Sequence, residues 1–247
     1  MLVGFLCDVS NEPVSLAQCL FCADDPDMHF CQATSAILRG IAGQNETRKD
    51  AGISVTNLTG CLRASFFNHT LDYHWYPSRL WPAYRGTLGH LLVERSQHPE
   101  HICERRFARE LAGHILTGQP DEYNPRRKLL IDYKTKREFP NYPTQGYVEQ
   151  LNGYALILAK GYDVKSNEEV AYEVEQLGLV FLTMDGYCKI PVPLWELNHS
   201  EDLLGERLLQ LAGALSGGPL PPRLSNSPKN HPLCSAWCPH LQACLES

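Results

Sequence analysis

Residues 128–136, "KLLIDYKTK", set a carboxylate and an ammonium two positions apart on an otherwise apolar run. A β-strand points residues i and i+2 to the same face, so Leu130, Asp132 and Lys134 share one side of the expected strand. Three further polar signals flank it. His90 closes "GTLGH" on an expected helix, with Glu94 one turn on; Asp121 follows the Gly and Pro of "GQPDEY"; Gln150 and Tyr154 stand four apart and share a helix face. An imidazole and two carboxylates (His90, Asp121, Asp132) suit Mg²⁺ or Mn²⁺, which take oxygen ligands and tolerate some nitrogen. The backbone carbonyl of Tyr133 could add a ligand. Lys134 would orient or polarise an attacking water, whose pKa such a metal lowers while neutralising charge on a phosphodiester. A strand edge can deliver the metal ligand and the cation together.

The elements that must hold these groups are legible in outline. "ATSAILRGIAG" reads as a helix closed by Gly43, and "SVTNLTGCLRASFF" as a helix capped by Ser54 or Thr56. Residues 70–84, rich in aromatics and proline, read as an irregular loop, followed by a helix over "RGTLGHLLVERS". "CERRFARELAGHILTGQPDEY" reads as strand, turn and strand. The strand of Asp132 follows, and then a strongly apolar helix over "TQGYVEQLNGYALILAKG". "QLGLVFLTM", "DG" and "YCKIPVPL" predict a hairpin, because Asp-Gly suits a tight turn. A last amphipathic helix, capped by Ser200, precedes a proline-rich return. This order predicts an α/β (α+β) fold, a mixed central sheet flanked by helices.

The 247 residues are 43% hydrophobic and 20% charged, ordinary for a soluble globular chain. No apolar run reaches the roughly 18 residues of a membrane span, and "MLVGFLC" is too short for a signal peptide. The expectation is an intracellular, cytoplasmic protein. A net charge of -6 does not announce a nucleic-acid binder. Local basic clusters at Arg105, Arg106, Arg109 and at Arg126, Arg127, Lys128, Lys134, Lys136, Arg137 could nevertheless hold phosphates. Either cluster could equally be a solvated surface.

Ten cysteines are many for a chain in a reducing compartment, where clustered thiols favour metals over disulfides. Cys7, Cys19, Cys22 and Cys31 lie in a front segment that carries five acids and no Lys or Arg before residue 36. Four thiolates could hold Zn²⁺ tetrahedrally and fold a segment too short to build a core; the alternative is a loosely packed arm of reduced thiols. Its acidity points to a partner-docking surface rather than to DNA. Cys103 and Cys188 fit inside strands. His69, His74, His98, His101 and His240 have no evident partners in the sequence.

Taken in order, "GTLGH", "GQPDEY", "LLIDYK" and "QLNGY" resemble the RecB-like branch of the PD-(D/E)xK nuclease superfamily, over about residues 53–247. The resemblance implies a mixed sheet flanked by helices. His90, Asp121 and the Asp132/Lys134 pair would then bind metal and activate water, with Gln150 and Tyr154 contacting DNA or supporting the site. Cys61, with Cys234, Cys238 and Cys244 of "CSAWCPHLQAC", resembles the split ligand set of the superfamily's iron–sulfur nucleases, in which a [4Fe–4S] cluster staples the chain ends. The first gap of the terminal motif holds three residues where the commoner form has two. Within that set the chain is similar to the CRISPR-associated exonuclease of the fourth Cas family and its stand-alone or phage cousins.

The organisation expected is a zinc-binding module over 1–35, a helix and linker over 36–52 and the nuclease domain over 53–247. The expected activity is a metal-dependent DNA exonuclease on single-stranded ends, in spacer acquisition or DNA repair and recombination. Its partners would be DNA and a CRISPR integrase or other recombination proteins, with no membrane and an oligomer open. Two other functions fit the residues: a weakly active adaptor recruiting an integrase or helicase through its front module, and a phosphohydrolase of small nucleotides.

Overall fold

A computed structural model describes residues 2–25, 27, 31–43, 52–95 and 98–247, leaving out the side chains of Leu88, His90, Leu92, Val93 and Glu94. In chain order the first elements are β1 (Leu2–Leu6), β2 (Pro13–Val14), α1 (Leu16–Asp24), α2 (Ser35–Gly43), β3 (Ile53–Ser54), α3 (Val55–Leu58), α4 (Leu62–Thr70), β4 (Tyr73–Trp75) and α5 (Pro77–Arg95). Then come β5 (Ile102–Cys103), β6 (Phe107–Leu111), β7 (His114–Gly118), β8 (Glu122–Asn124), β9 (Leu129–Thr135) and α6 (Gln145–Ala159). The last are β10 (Gly161–Asp163), β11 (Glu169–Val170), β12 (Gln176–Leu182), β13 (Tyr187–Val192), α7 (Leu197–Leu215), α8 (Pro232–Trp237) and α9 (Leu241–Glu246). The fold is mixed α/β, with mixed sheets flanked by helices, as the order of segments predicts.

The chain forms two compact units, one of Met1–Asp50, Arg63–Arg85 and Leu220–Ser247, the other of Ala51–Leu62 and Gly86–Pro219. In the first, β1 pairs antiparallel with β2 and parallel with β4. Phe5, Leu38 and Ile41 form its buried centre, lined by Leu16, Leu20, Leu80 and Tyr84. β1 and β2 thus share a sheet with Tyr73–Trp75, and Phe5, Leu16 and Leu20 share a core with the helices that follow. Residues 70–84, expected as a loop, instead supply β4 and the start of α5. Pro77 suits a first helical position, where its missing N–H costs nothing.

The second unit holds two mixed five-stranded sheets, ordered β11-β10-β6-β7-β3 and β13-β12-β9-β8-β5. The segment expected as two strands yields four, because β8 is recruited by pairing on β9 and β5 by pairing on β8. The Asp-Gly hairpin is present: β12 and β13 run antiparallel, and Thr183 N–H donates to the Gly186 carbonyl at 2.9 Å. Ser54 caps α3 in a box with Asn57. Ser200 does not cap α7; Glu196 does, and Ser200 lies buried one turn in, its N–H on the Glu196 carbonyl.

Helix α6 is the centre of this unit. Every residue from Val148 to Leu158 is buried, and the helix packs on β6, β7 and β10 of one sheet, β9 of the other, and α7. A helix covered all round must be apolar or satisfied all round. Buried Asn152 meets that demand by bonding the Val148 and Pro193 carbonyls and the Trp195 N–H. Gly153 lets α3 and α7 approach: a Cβ there would lie 2.6 Å from Val55 Cγ1 and 3.0 Å from Leu204 Cδ1. Alanine gains about 1 kcal/mol of helix propensity, but overpacking costs about 1–3 kcal/mol. Gly153→Ala should therefore lower the melting temperature, and a rise would show that the three-helix contact yields freely. No helix among the described residues is long and apolar enough to cross a membrane.

Candidate active site

β9 delivers the reactive pair because its outer neighbours bury it. It pairs parallel with β12, placing Asp132 beside Leu179 and Lys134 beside Phe181, and antiparallel with β8. Leu130 and Asp132, on one face, are both buried, and Asp132 is only 1% exposed. The β8 ladder sets Glu122 across from Ile131. One step further along, Asp121, 5% exposed, comes opposite Asp132, and its carboxylate accepts the Tyr133 N–H at 2.6 Å. The two expected carboxylates are therefore brought together.

The Lys134 ammonium stands 2.6 Å from Asp132 Oδ2. Burial pushes its pKa down, but the charges of Asp132 and Asp121 outweigh that and hold it above the usual lysine range. Lys134 is thus a fixed cation. Two buried carboxylates against one ammonium leave an excess of negative charge, costly in a poorly solvated site. A divalent cation would offset it, and oxygen donors are the right chemistry for Mg²⁺ or Mn²⁺. Tyr133, whose carbonyl is the expected further ligand, is held by its N–H on Asp121 and by its phenol, which donates to Glu122 at 2.6 Å. The other Glu122 oxygen meets His101 Nδ1 at 2.7 Å. His101 is thus partnered, contrary to the sequence reading. So is buried His240, which bonds Asn68 at 2.8 Å within the first unit.

Gln150 and Tyr154 sit on the face of α6 toward this site. The Gln150 amide donates to the Tyr154 hydroxyl at 2.7 Å, and Thr56 also hydrogen-bonds that hydroxyl. Burial, then the Asp132 charge, pushes the Tyr154 pKa up to about 12, with Lys134 opposing. Both groups are thus packed and satisfied, as supports of the floor would be. Helix α5 passes the open end of β9: a Cβ at Gly89 would lie 3.0 Å from Thr135 Cγ2. His90 follows Gly89, but its side chain and that of Glu94 lie outside the described residues. Among the described residues no group of three or more His, Cys, Asp or Glu side chains is arranged to hold a metal, and the third expected ligand, His90, is not one of those described.

Sequence reasoning missed Tyr147. Its ring lies 5.2 Å from both the Lys134 and Lys136 ammoniums. The signal was there, since Tyr147 is three before Gln150 on the same helix. Most of the other basic residues singled out are committed elsewhere. Arg105 pairs with Asp163, Arg109 with Glu201, Arg126 with Glu100, and Lys128 with Glu173 and Glu175. Arg106 reaches the Gln119 side chain.

Among the described residues, which include all ten cysteines, no disulfide forms. Cys61 lies in the second unit; in the first, Cys234 lies on α8, Cys238 just past its end and Cys244 on α9. Cys103 and Cys188 lie in β5 and β13, as expected. Burial, and then the charges of Cys31, Cys7 and Cys22, push the Cys19 pKa up to about 11, so the four front thiols are within electrostatic reach. Cys7 is lowered, chiefly by a hydrogen bond from the Ser10 backbone.

Among solved structures, SSO0001 superposes with a TM-score of 0.53 at 18% identity, over 70% of this chain and 83% of that one, a likeness of fold. A Eubacterium rectale protein named as a putative exonuclease aligns with a TM-score of 0.38 at 13% identity, over 64% of this chain and 59% of its own. No curated protein matches. The description of the PD-(D/E)XK nuclease superfamily fits residues 36–245, a span that includes both carboxylates, the lysine and helix α6, and the chain belongs to that superfamily.

Proposed function

We propose that this nuclease is a metal-dependent deoxyribonuclease that hydrolyses phosphodiester bonds from single-stranded DNA ends, in CRISPR spacer acquisition or in DNA repair and recombination. The observation that carries the reading is Asp121 standing across from Asp132 with the Lys134 ammonium on the same buried face. Asp121 and Asp132, with His90 and the Tyr133 carbonyl, would hold Mg²⁺ or Mn²⁺. Such an ion supplies a more acidic water and neutralises phosphate charge. Lys134, kept protonated, orients the attacking water and faces the developing negative charge on the phosphate. Gln150 and Tyr154 fix the floor beneath the pair, and Glu122 holds Tyr133 in place.

End-labelled single-stranded DNA and a closed circle of the same sequence, incubated with Mn²⁺ or EDTA, test the reading. The linear strand should be lost only with Mn²⁺, while the circle survives. Cutting of the circle at the same rate would remove the exonuclease assignment. If neither is cut by folded protein, the adaptor reading takes its place; Phe21, 66% exposed within the acidic segment of residues 1–35, favours that second reading as a docking point for an integrase or helicase.

Two further groups belong to the proposal. Cys61, Cys234, Cys238 and Cys244 are the thiolates for a [4Fe–4S] cluster. Cys7, Cys19, Cys22 and Cys31 are those for structural Zn²⁺. Iron, acid-labile sulfide and zinc contents of anaerobically purified protein decide both.

A further inference from the structure

The strand that carries Asp132 and Lys134 runs out into an exposed apolar edge that the chemistry described above does not use. Lys136, in line with Asp132 and Lys134, anchors to the end of β12 through its N–H on the Leu182 carbonyl and rests its ammonium over Tyr147. The loop that follows exposes Phe139 (44%) and Tyr142 (76%). The adjoining hairpin exposes Met184 (91%) and Tyr187 (79%). The two loops meet where Phe139 Cζ lies 3.9 Å from the Cβ position of Gly186. Exposed rings on adjacent loops are costly without an occupant.

We infer that Phe139, Tyr142 and Tyr187 form a stacking platform for unpaired bases, with Lys136 and Arg137 on the adjoining phosphates. The occupant is single-stranded DNA being fed to the Asp132 site; this rests on the nuclease reading above. Continuity with the Asp132 strand selects it: Lys136, in line with Asp132 and Lys134, and exposed Arg137 set two cations beside the rings, balancing Glu138 and Asp185 of the two loops. Ring faces select further, because base faces are open for stacking only in unpaired strands, and such stacking tolerates any sequence. A duplex keeps its base faces internal and would meet the lysines alone.

The experiment measures binding apart from cleavage. Fluorescence anisotropy of a labelled oligothymidine and of a labelled duplex is read in EDTA with the full-length protein and with Phe139→Ala/Tyr142→Ala and Tyr187→Ala variants. Each variant should bind the single strand about tenfold or more weakly and the duplex unchanged, with unaltered melting temperature. Unchanged single-strand binding overturns the inference, as does an equal loss on duplex. So does a wild-type dimer in sedimentation that these variants break, which would make the edge a contact between copies. Because no metal is present, a failure of the nuclease reading does not alter this result.

Discussion

On the proposed function, Asp132→Ala should abolish DNA cleavage, by about 10³-fold or more, while the protein stays folded. Removing a single charge-stabilising group from a preorganised site costs on the order of 10²–10³-fold, and in the proposed site Asp132 would serve twice, as metal ligand and as the partner that positions Lys134 2.6 Å away. The fold tolerates the change for a reason that can be traced. Asp132 sits among β-sheet neighbours such as Leu179 that are fully buried, so losing its carboxylate removes a desolvation cost. The released lysine keeps Asp121 as a counter-charge, which already contributes to its raised pKa. The check is cleavage of end-labelled DNA with Mn²⁺ alongside circular dichroism of both proteins. Cleavage by the variant above a mock-purified control would place the reaction elsewhere.

Arg207→Ala is the substitution outside the chemistry with the largest expected cost. The guanidinium bonds both oxygens of Glu149 and also the Leu58 carbonyl, tying α7 to α6 and α3. Glu149 is 6% exposed, so its charge loses its main partner without gaining water. Breaking a buried pair from one side costs about 3–5 kcal/mol. Arg207 is partly exposed, which argues for the lower figure. About 3 kcal/mol corresponds to a melting-temperature drop of roughly 6–12 °C for a chain of this size. Arg126→Ala is the control: its pair with Glu100 is exposed on both sides and contributes about 1 kcal/mol at most. Equal shifts for both variants would refute the burial argument.

What the sequence made legible was what strand and helix periodicity can carry. The alternation of Leu130, Asp132 and Lys134, the apolar run of α6 and the Asp-Gly turn are local, and all three are present. The union of Asp121 with Asp132 is not local, since it depends on the antiparallel register of β8 against β9. A turn signal could place Asp121 near a strand but not opposite a particular residue. The same limit hid β4, whose three residues become a strand only by pairing in parallel with β1, and the fate of the arginines, whose acidic partners lie far along the chain. Ser200 misled for a different reason: a good capping residue lay one turn inside a helix that Glu196 had already begun.

The complete burial of α6 from Val148 to Leu158 has a kinetic side. Backbone amides with no solvent-facing side exchange their hydrogens chiefly when the surrounding structure opens as a whole. Gln150 and Tyr154 therefore stand on one of the last segments of their unit to open, while the loops bearing Phe139 and Met184 stand on some of the first. The floor of the site is thereby the part of the unit least open to local unfolding.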